Sequence, residues 1–477
     1  MDAPLYLQLA THYQSAIEAG TLAPGSRMPS VRSLTHLHKV SVSTALQACR
    51  HLEDTGWLEA RPRSGFFVRR PRRTHIEPVS EPDPASAPNP AQYVGIHNRV
   101  SDFIAQCERY PVKANLAVAF GSSDAYPVEA LKHAAARALR RRPDVLVSPA
   151  PAHGERGFRA TLARRALASG IRLSPEDVVV THGCTEAMNL ALRAVTRPGD
   201  TVAVESPCYY GLLQILETLG LRSIEIPTSP QRGMSVEALE LAFQTQPNIR
   251  AVVVVPNFQN PLGSVMPDAD KQNLVALCDA QNVPLIEDDT YGALSDDDEP
   301  LRALKAWDTH DNVIHCASLH KTLAPGMRLG WVAGGRWGAR IKMLKYAQSR
   351  PNEALSQMAV AEFMGSAAYD RHLMRLRRLL KERRARMAEA IAEHFPAGTR
   401  FSVPAGGMLL WLQLPIEQSS TVIFQTALKA GIRVSPGLMF SNSDRYDHYL
   451  RISCGMPFTN EVDDAVRRLG KIVAAAA

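Results

Sequence analysis

Six prolines fall between Pro71 and Pro90, within the stretch PRRTHIEPVSEPDPASAPNPAQYVGIHN. Proline lacks a backbone N–H and fixes its own φ, so neither a helix interior nor a central strand passes through such a segment. The stretch also carries few apolar side chains and cannot order itself by burying surface. Residues 71–98 are therefore expected to be an extended linker, which at ~3.1 Å per residue in polyproline-like form reaches roughly several tens of ångströms. A chain interrupted in this way folds as separate bodies, a short one over residues 1–70 and a long one over residues 99–477.

The two bodies differ in charge. Residues 1–73 carry ten Lys/Arg against five Asp/Glu, so most of the chain's net charge of +7 sits on the head. Charge gathered on a small domain suits a polyanionic partner for that domain, although a solvated surface would look the same until a motif joins it. No apolar run approaches the ~20 residues that span a bilayer, and the opening MDAPLYLQLA lacks the basic start and apolar stretch of a secretory signal. Seven scattered cysteines without a CxxC pair argue against a disulfide framework and against a metal site. A cytoplasmic protein is expected, with no membrane partner.

In the head, Leu5, Leu9, Tyr13 and Ile17 recur at helical spacing and Gly20 ends that helix. Ser30 can cap a second helix holding Val31, Leu34 and Leu37. Ser41 can cap a third with Ala45, Leu46, Cys49 and Leu52 on its apolar face, closed by Gly56. Residues 57–60 and 65–68 read as two strands around the basic turn Arg61-Pro62-Arg63-Ser64. Three helices and a basic hairpin make a winged helix-turn-helix, whose third helix enters the major groove. The blocks PLYLQL, GSRMPSVRSL and HLEDTGWLEARPRSGFFV, in that order, closely resemble the GntR-type DNA-binding domain. That resemblance implies that Arg32, Ser43, Thr44 and Gln47 face double-stranded DNA, with Arg61, Ser64 and Gly65 in the wing. Arg and Ser/Thr would fix position on phosphates, while Gln47 either reads a base edge or is simply a solvated helix residue. The chain departs from the family at Val42, where a basic residue is usual, and at Lys39, where glycine is usual.

From about residue 99, apolar runs at 178–182, 201–205, 251–255, 284–287, 313–318 and 329–333 alternate with helical patterns, the mark of an α/β domain on a mostly parallel sheet. A basic helix is expected around residues 372–386, and a smaller α+β lobe from about residue 390. Four chemistry-bearing segments each follow an expected strand, at the sheet edge where open α/β folds bind ligands. In THGCTEAMNLALRAV, residues Gly183, Cys184 and Thr185 open a helix, and their amides suit a phosphate. In VVPNFQNPLG and LIEDDTYGAL, Asn260 precedes Asp288 by 28 residues and Tyr291 lies three beyond it. A buried carboxylate can keep a pyridine nitrogen protonated, and Asn and Tyr can bond a ring phenolate. In ASLHKTLAPGMRLGW, a lysine desolvated in a cleft can form a Schiff base, with Ser and Arg nearby to hold phosphate.

These segments resemble the fold-type-I aminotransferases from about Ala114 to the C-terminus. Behind a GntR-type head they resemble the MocR subfamily of regulators across the whole chain. The resemblance implies an α/β architecture: a winged helix-turn-helix joined to a PLP-dependent transferase of fold type I, with helices on both faces of the central sheet. It also implies pyridoxal 5'-phosphate as cofactor. Lys321 would carry the Schiff base, Asp288 would meet the pyridine nitrogen, and Tyr291 and Asn260 would flank the phenolate. Ser318, Arg328, Cys184 and Thr185 would bind phosphate, with the Cys184 backbone mattering and not its sulfur. Tyr209 would stack on the ring unless Tyr210 does so, and Arg451 in YLRISCG would hold the α-carboxylate of an amino-compound effector. His320 stands where the family has serine and brings an imidazole able to alter the site's charge. No tyrosine lies in LVSPAPAHGERGF, where partner-supplied tyrosines are common, and His153 is the nearest substitute.

The expected function is a homodimeric, DNA-binding transcriptional regulator that senses pyridoxal phosphate or an amino compound reacting with it. The alternative is a working aminotransferase with a secondary DNA-binding head. A scaffold keeping a dead enzyme fold fits less well with Lys321, Asp288 and Arg451 all present.

Overall fold

In a computed structural model of the chain, residues 4–61, 64–69, 76–82, 88–246, 248–415 and 419–475 are described. They divide into two compact units, one of residues 1–76 with 389–394 and one of residues 77–388 with 395–477.

The first unit holds α1 (Leu5–Glu18), α2 (Val31–His38), α3 (Val42–Asp54), β1 (Leu58–Arg61) and β2 (Gly65–Val68). α1 buries Leu9, Ala10, Tyr13 and Ile17, while Leu5, expected on that face, is 64% exposed at the first turn. Ser30 Oγ accepts from Ser33 N at 3.1 Å and Ser41 Oγ from Thr44 N at 3.1 Å. Each cap satisfies an otherwise orphaned amide and contributes about 1 kcal/mol. Between the two helices the backbone turns through Lys39 at φ 53°, ψ 40°, a left-handed conformation that glycine adopts more easily. α3 turns Ala48 inward beside Ala45, Cys49 and Leu52, and Leu46 is only half-buried. β1 and β2 form an antiparallel hairpin in the register Leu58↔Val68 and Arg61↔Gly65. Pro62 and Arg63 of the expected basic turn lie outside the described residues.

The second unit begins with β3 (Gln92–Tyr93), α4 (His97–Arg109), β4 (Ala114–Asn115), α5 (Val128–Arg141) and α6 (Arg156–Ala166). The strand–helix alternation follows as β5 (Val178–Thr181), α7 (Cys184–Val195), β6 (Thr201–Ser206), α8 (Tyr210–Thr218), β7 (Arg222–Ser229), β8 (Gly233–Met234), α9 (Val236–Thr245), β9 (Ile249–Val254), α10 (Asp268–Ala280), β10 (Leu285–Asp288), β11 (Val313–Ser318) and β12 (Gly330–Ala333). Then come α11 (Gly338–Gln348), α12 (Ala354–Met364) and the long basic α13 (Ala367–His394). The chain closes with β13 (Arg400–Phe401), β14 (Leu409–Gln413), α14 (Ser420–Lys429), β15 (Ile432–Arg433), β16 (Ser435–Pro436), β17 (Tyr449–Ser453) and α15 (Asn460–Ala475).

The large sheet runs β3-β7-β6-β9-β10-β11-β12-β5, with β8 added to β7. β7, β6, β9, β10 and β11 are mutually parallel, and β12 is antiparallel to both its neighbours. Both faces are covered, which is why the strands read as unbroken apolar runs. Val202, Val204, Val253 and Ile286 enter the core on one face, and Ala203, Val252, Val254 and Leu285 enter that on the other. A second sheet, β13-β14-β17-β16, is antiparallel throughout, and β15 pairs in parallel with β4.

The stretch expected to be a linker as far as residue 98 attaches to this unit earlier than that. Val79 is buried in its core, Phe401 N donates to the Glu77 carbonyl at 3.1 Å, and Ser80 N donates to Gln413 Oε1 at 3.2 Å. Val94 and Ile96 are buried too, and α4 has begun by His97. A few apolar residues set among the prolines suffice to tie extended chain to a preformed surface. Residues 71–75 and 83–87 of that stretch lie outside the described residues.

Candidate functional site

The carboxyl ends of β5, β6, β9, β10 and β11 open onto one cavity of about 340 Å³. Its walls include Lys321, Asp288, Tyr291, Asn260, Tyr209, Cys184, Thr185, Ser318, Arg328 and Arg451, so residues spread over more than 260 positions meet at one place.

One end is built for an anion. The turn after β5 passes through Gly183 at φ +86°, and α7 starts there with no side chain capping its first amides. A Cβ on Gly183 would sit 3.4 Å from the Arg328 guanidinium, so the glycine lets helix start and cation approach each other. Thr185 is exposed in the first turn, and Ser318 is buried at the end of β11. Arg328 holds the left-handed φ of +50° and donates from Nη2 to the His182 carbonyl at 3.3 Å. Helix dipole, amides and guanidinium all favour negative charge here.

His320 lies 3.4 Å from Arg328 through its Nδ1, with its ring edge-on to Phe120. Burial, then the positive charges of Lys321 and Arg328, lower its pKa to about 4. The imidazole is therefore neutral at ordinary pH. It accepts from Arg328 and leaves the charge of the site unaltered.

Deeper in, Asp288 Oδ1 accepts from Thr290 Oγ1 at 2.5 Å, Thr290 N at 3.0 Å and Cys184 Sγ at 3.3 Å. Burial pushes the Asp288 pKa up, and the bonds from Thr290 and Cys184 pull it partly back. The Cys184 sulfur thus has a role of its own, which the sequence reading assigned only to its backbone. Burial and the neighbouring Asp288 raise that thiol well above its usual pKa, so it stays an S–H donor.

The Lys321 amine lies 5.8 Å from the centre of the buried Tyr291 ring. Burial, then the charge of Arg451, lowers its pKa to about 7 against the pull of Asp288. A large share of this amine is neutral and nucleophilic near neutrality. Burial raises the Tyr291 and Tyr209 phenols, which remain protonated donors. Tyr209 and Tyr210 both line the cavity with ring centres 4.9 Å apart. The Tyr209 ring lies against Gly211 so closely that a Cβ there would collide with it, so the glycine leaves room for this ring.

Arg451 comes from the second sheet, on β17, and is 2% exposed. It donates to Asn260 Oδ1 at 3.0 Å, the Ala117 carbonyl at 2.7 Å and Ser435 Oγ at 3.2 Å. Its Nε is buried without a partner. Since Asn260 Oδ1 accepts from Arg451, its NH₂ group is the part left to donate elsewhere.

Sequence reading missed Thr290, Arg433 and Glu205 in this cavity. Glu205 ends the apolar run TVAVE; burial pushes its pKa up to about 8 although Val255 N donates to it at 3.0 Å. An acid closing an otherwise apolar strand was the available signal. His153 does not line the cavity in its own chain; its carbonyl accepts from Val180 N at 3.0 Å. Among the described residues no group of three or more His, Cys, Asp or Glu is placed to hold a metal ion, and no helix is long and apolar enough to cross a membrane.

In the first unit, Arg32, Ser43, Gln47, Arg61, Ser64 and Gly65 are exposed and Thr44 is half-buried. Ser43 and Gln47 lie four apart and so share a face of α3. The Ser43 and Thr44 hydroxyls are both engaged with Ser41 Oγ, at 2.7 and 2.8 Å. Arg61 is paired with Glu59 at 2.6 Å and lies over the Phe67 ring at 4.2 Å, which holds the wing arginine in a defined place.

Residues 114–469 match the family of class I and II aminotransferases, and residues 5–68 match the bacterial regulatory proteins of the gntR family. The chain is 36% identical to the HTH-type transcriptional regulator YjiR of Escherichia coli (strain K12), over 98% of both chains. It is 35% identical, again over 98% of both, to the HTH-type transcriptional regulator YdcR of the same organism. Among solved structures it resembles the kynurenine aminotransferase of Pyrococcus horikoshii, crystallised in complex with PMP, KYN and KYA. That match has a TM-score of 0.73 at 26% identity and covers 79% of this chain and 94% of the other.

Proposed function

Because this chain belongs to the MocR-type regulators, with a gntR-family head and a class I and II aminotransferase body, we propose that it controls transcription in response to an amino compound or to pyridoxal phosphate itself. The observation that carries this reading is the convergence of ten polar side chains on one cavity, in a chain whose other unit has three helices and a two-stranded hairpin in the order of a winged helix-turn-helix.

The residues present fit pyridoxal phosphate. An acid at depth suits a pyridine nitrogen, and a lysine with a lowered pKa suits an aldehyde. An uncapped helix start beside a guanidinium suits a phosphate, and a buried phenol with an amide NH₂ suits a phenolate. Lys321, Asp288, Tyr291, Asn260, Tyr209, Cys184, Thr185, Ser318 and Arg328 would hold it. When bound, the cofactor supplies an electrophilic carbon that captures amines. Lys321 would hold that carbon through its amine, which its lowered pKa leaves largely neutral near neutrality. Asp288 would hold a proton on the ring nitrogen, and Arg451 would orient the ligand's carboxylate. A ligand can shift a regulator only through contacts that differ between its two states, and engagement of Arg451 by the ligand's carboxylate would supply such a difference.

On DNA, Arg32, Ser43, Thr44, Arg61, Ser64 and Gly65 would fix the head on the backbone while Gln47 reads a base edge. A homodimer in the cytoplasm would set two heads on paired half-sites. The test is binding to the protein's own upstream DNA, with and without pyridoxal phosphate and a panel of amino acids and amines. Specific binding that shifts with one of them supports the reading. Sequence-indifferent binding unmoved by every ligand rejects it.

A second reading, transamination, draws on one observation: the nucleophilic Lys321 that would serve a sensor would also serve turnover. Product formation from an amino donor and a 2-oxo acid separates the two.

A further inference from the structure

Two arginines, not one, reach the body's cavity from its C-terminal strands. Arg433 on β15 lines the same cavity as Arg451. Its Nη2 donates to the Cys107 carbonyl of α4 at 2.8 Å, and its Nε is buried without a partner. Among the described residues neither guanidinium has a carboxylate within ion-pair distance. Arg433 is half-buried and Arg451 buried, and with only neutral oxygens as partners each charge is left for an anion to meet.

The backbone brings the two together. Ser435 Oγ sits 3.2 Å from Arg451 Nη2, and Arg433 is two residues before Ser435 on the same extended run. Side chains two apart on such a run point the same way, with their backbones about 6.6 Å apart. The alternation is visible: Arg433 and Ser435 line the cavity, while Val434 between them is buried in the core. The chain just past β4 ties both ends, since Leu116 N donates to the Arg433 carbonyl at 2.8 Å and the Ala117 carbonyl accepts from Arg451 at 2.7 Å. Phe103, one helical turn before Cys107 on α4, adds an apolar wall on the same side.

We infer that Arg433 forms a second carboxylate subsite beside Arg451, so that the effector is an amino acid bearing a distal carboxylate. This rests on the reading above that the cavity takes an amino compound. Arg451 holds the α-carboxylate, Arg433 holds the distal one, and Phe103 covers the methylenes between them.

The experiment is calorimetric titration of the cofactor-loaded, full-length protein. The probes are L-aspartate, L-glutamate and L-2-aminoadipate, each compared with L-glutamine and L-norvaline. At least one dicarboxylate is expected to bind wild type about tenfold or more tightly than the neutral probes, as a charge-assisted pair requires. Arg433→Gln should bring that preference within about twofold of unity, leave L-norvaline binding unchanged and leave the bound-cofactor absorbance intact. Arg433→Lys should retain part of the preference, because a point charge remains without the planar fork. The subsite is overturned if Arg433→Gln keeps the preference, or if neutral probes bind wild type as tightly as the dicarboxylates. If no amino acid binds wild type, or if Arg451→Gln leaves every affinity unmoved, the amino-compound reading falls and the subsite falls with it.

Discussion

Arg61 and Arg451 are both proposed to meet an anion, yet they stand in opposite surroundings. Arg61 is exposed on the head's hairpin, paired with Glu59 and laid over Phe67. Arg451 is 2% exposed in the body, bonded to an amide, a carbonyl and a hydroxyl, with its Nε unmatched. The first would act through water, where attraction to a phosphate is long-ranged, weak per contact and screened by salt. The second acts where the effective dielectric is low, so that charge, hydrogen bonding and pKa are tightly coupled. The head would therefore gain affinity by adding many weak contacts. The body gains specificity by placing a few groups that have lost their water.

The largest effect that would test this contrast comes from Lys321→Ala. The variant should lose the visible absorbance of lysine-bound cofactor completely, while ligand-free DNA affinity changes by no more than about twofold. Surviving absorbance would mean that another amine holds the cofactor. A collapse of DNA binding would show that the head does not act apart from the body's chemistry.

Salt should separate the two units almost as sharply. If the head neutralises about six phosphates, raising salt from about 50 to about 200 mM should weaken operator binding roughly a thousandfold. Cofactor retention should change by less than about twofold over the same range, because it would rest on a covalent link from Lys321 and on the buried Tyr291 and Asn260, which salt screens little. Equal sensitivity in the two measurements would remove the distinction drawn between them.

A smaller effect lies in pH. With the Lys321 pKa lowered to about 7, the rate at which cofactor-free protein captures pyridoxal phosphate should rise about tenfold per pH unit below that point and flatten above it. The sign follows from the neutral amine being the nucleophile. An unperturbed lysine would keep rising toward about 10.4. His320, its pKa lowered to about 4, should add no inflection near neutrality. A stopped-flow profile still climbing at pH 9 would mean that the cleft does not desolvate Lys321.

The same contrast explains what could be read from the residues. The sheet strands were legible because both faces are buried, so that apolar runs such as the one ending at Ser318 stand out against polar turns. The helix caps at Ser30 and Ser41 were legible because serine there has a local reason, an amide three residues on. The cavity's motifs were legible because each follows a strand. Arg433 was not, since its place in the cavity comes from long-range packing and leaves no local spacing to detect, whereas Thr290, bonded to Asp288 two residues before it, and Glu205, the acid closing an apolar strand, each left a local trace. Cys184 was placed correctly but its thiol was undervalued, because a bond to an acid 104 positions away has no trace in the surrounding residues. On the head, Ala48 and not Leu46 faces inward; a short amphipathic helix fixes its rotation only to within a residue or so.

The smallest effect tests whether the head carries backbone strain of its own. Lys39 adopts φ 53° between α2 and α3, where an L-residue is disfavoured by roughly 1 kcal/mol or more relative to glycine. Part of that gain is offset because glycine loses more freedom on folding, leaving about 0.5–1 kcal/mol for Lys39→Gly. Amide exchange along α2 and α3 in the full-length protein should then slow by about two- to fivefold, with the body's exchange unchanged. Lys39→Ala removes the same charge but keeps a Cβ, so it should give no protection. If alanine slows exchange as much as glycine does, the gain comes from removing the lysine charge and not from relieving the left-handed turn. The head would then differ from the body in its solvent alone, without strain in its helix-turn-helix.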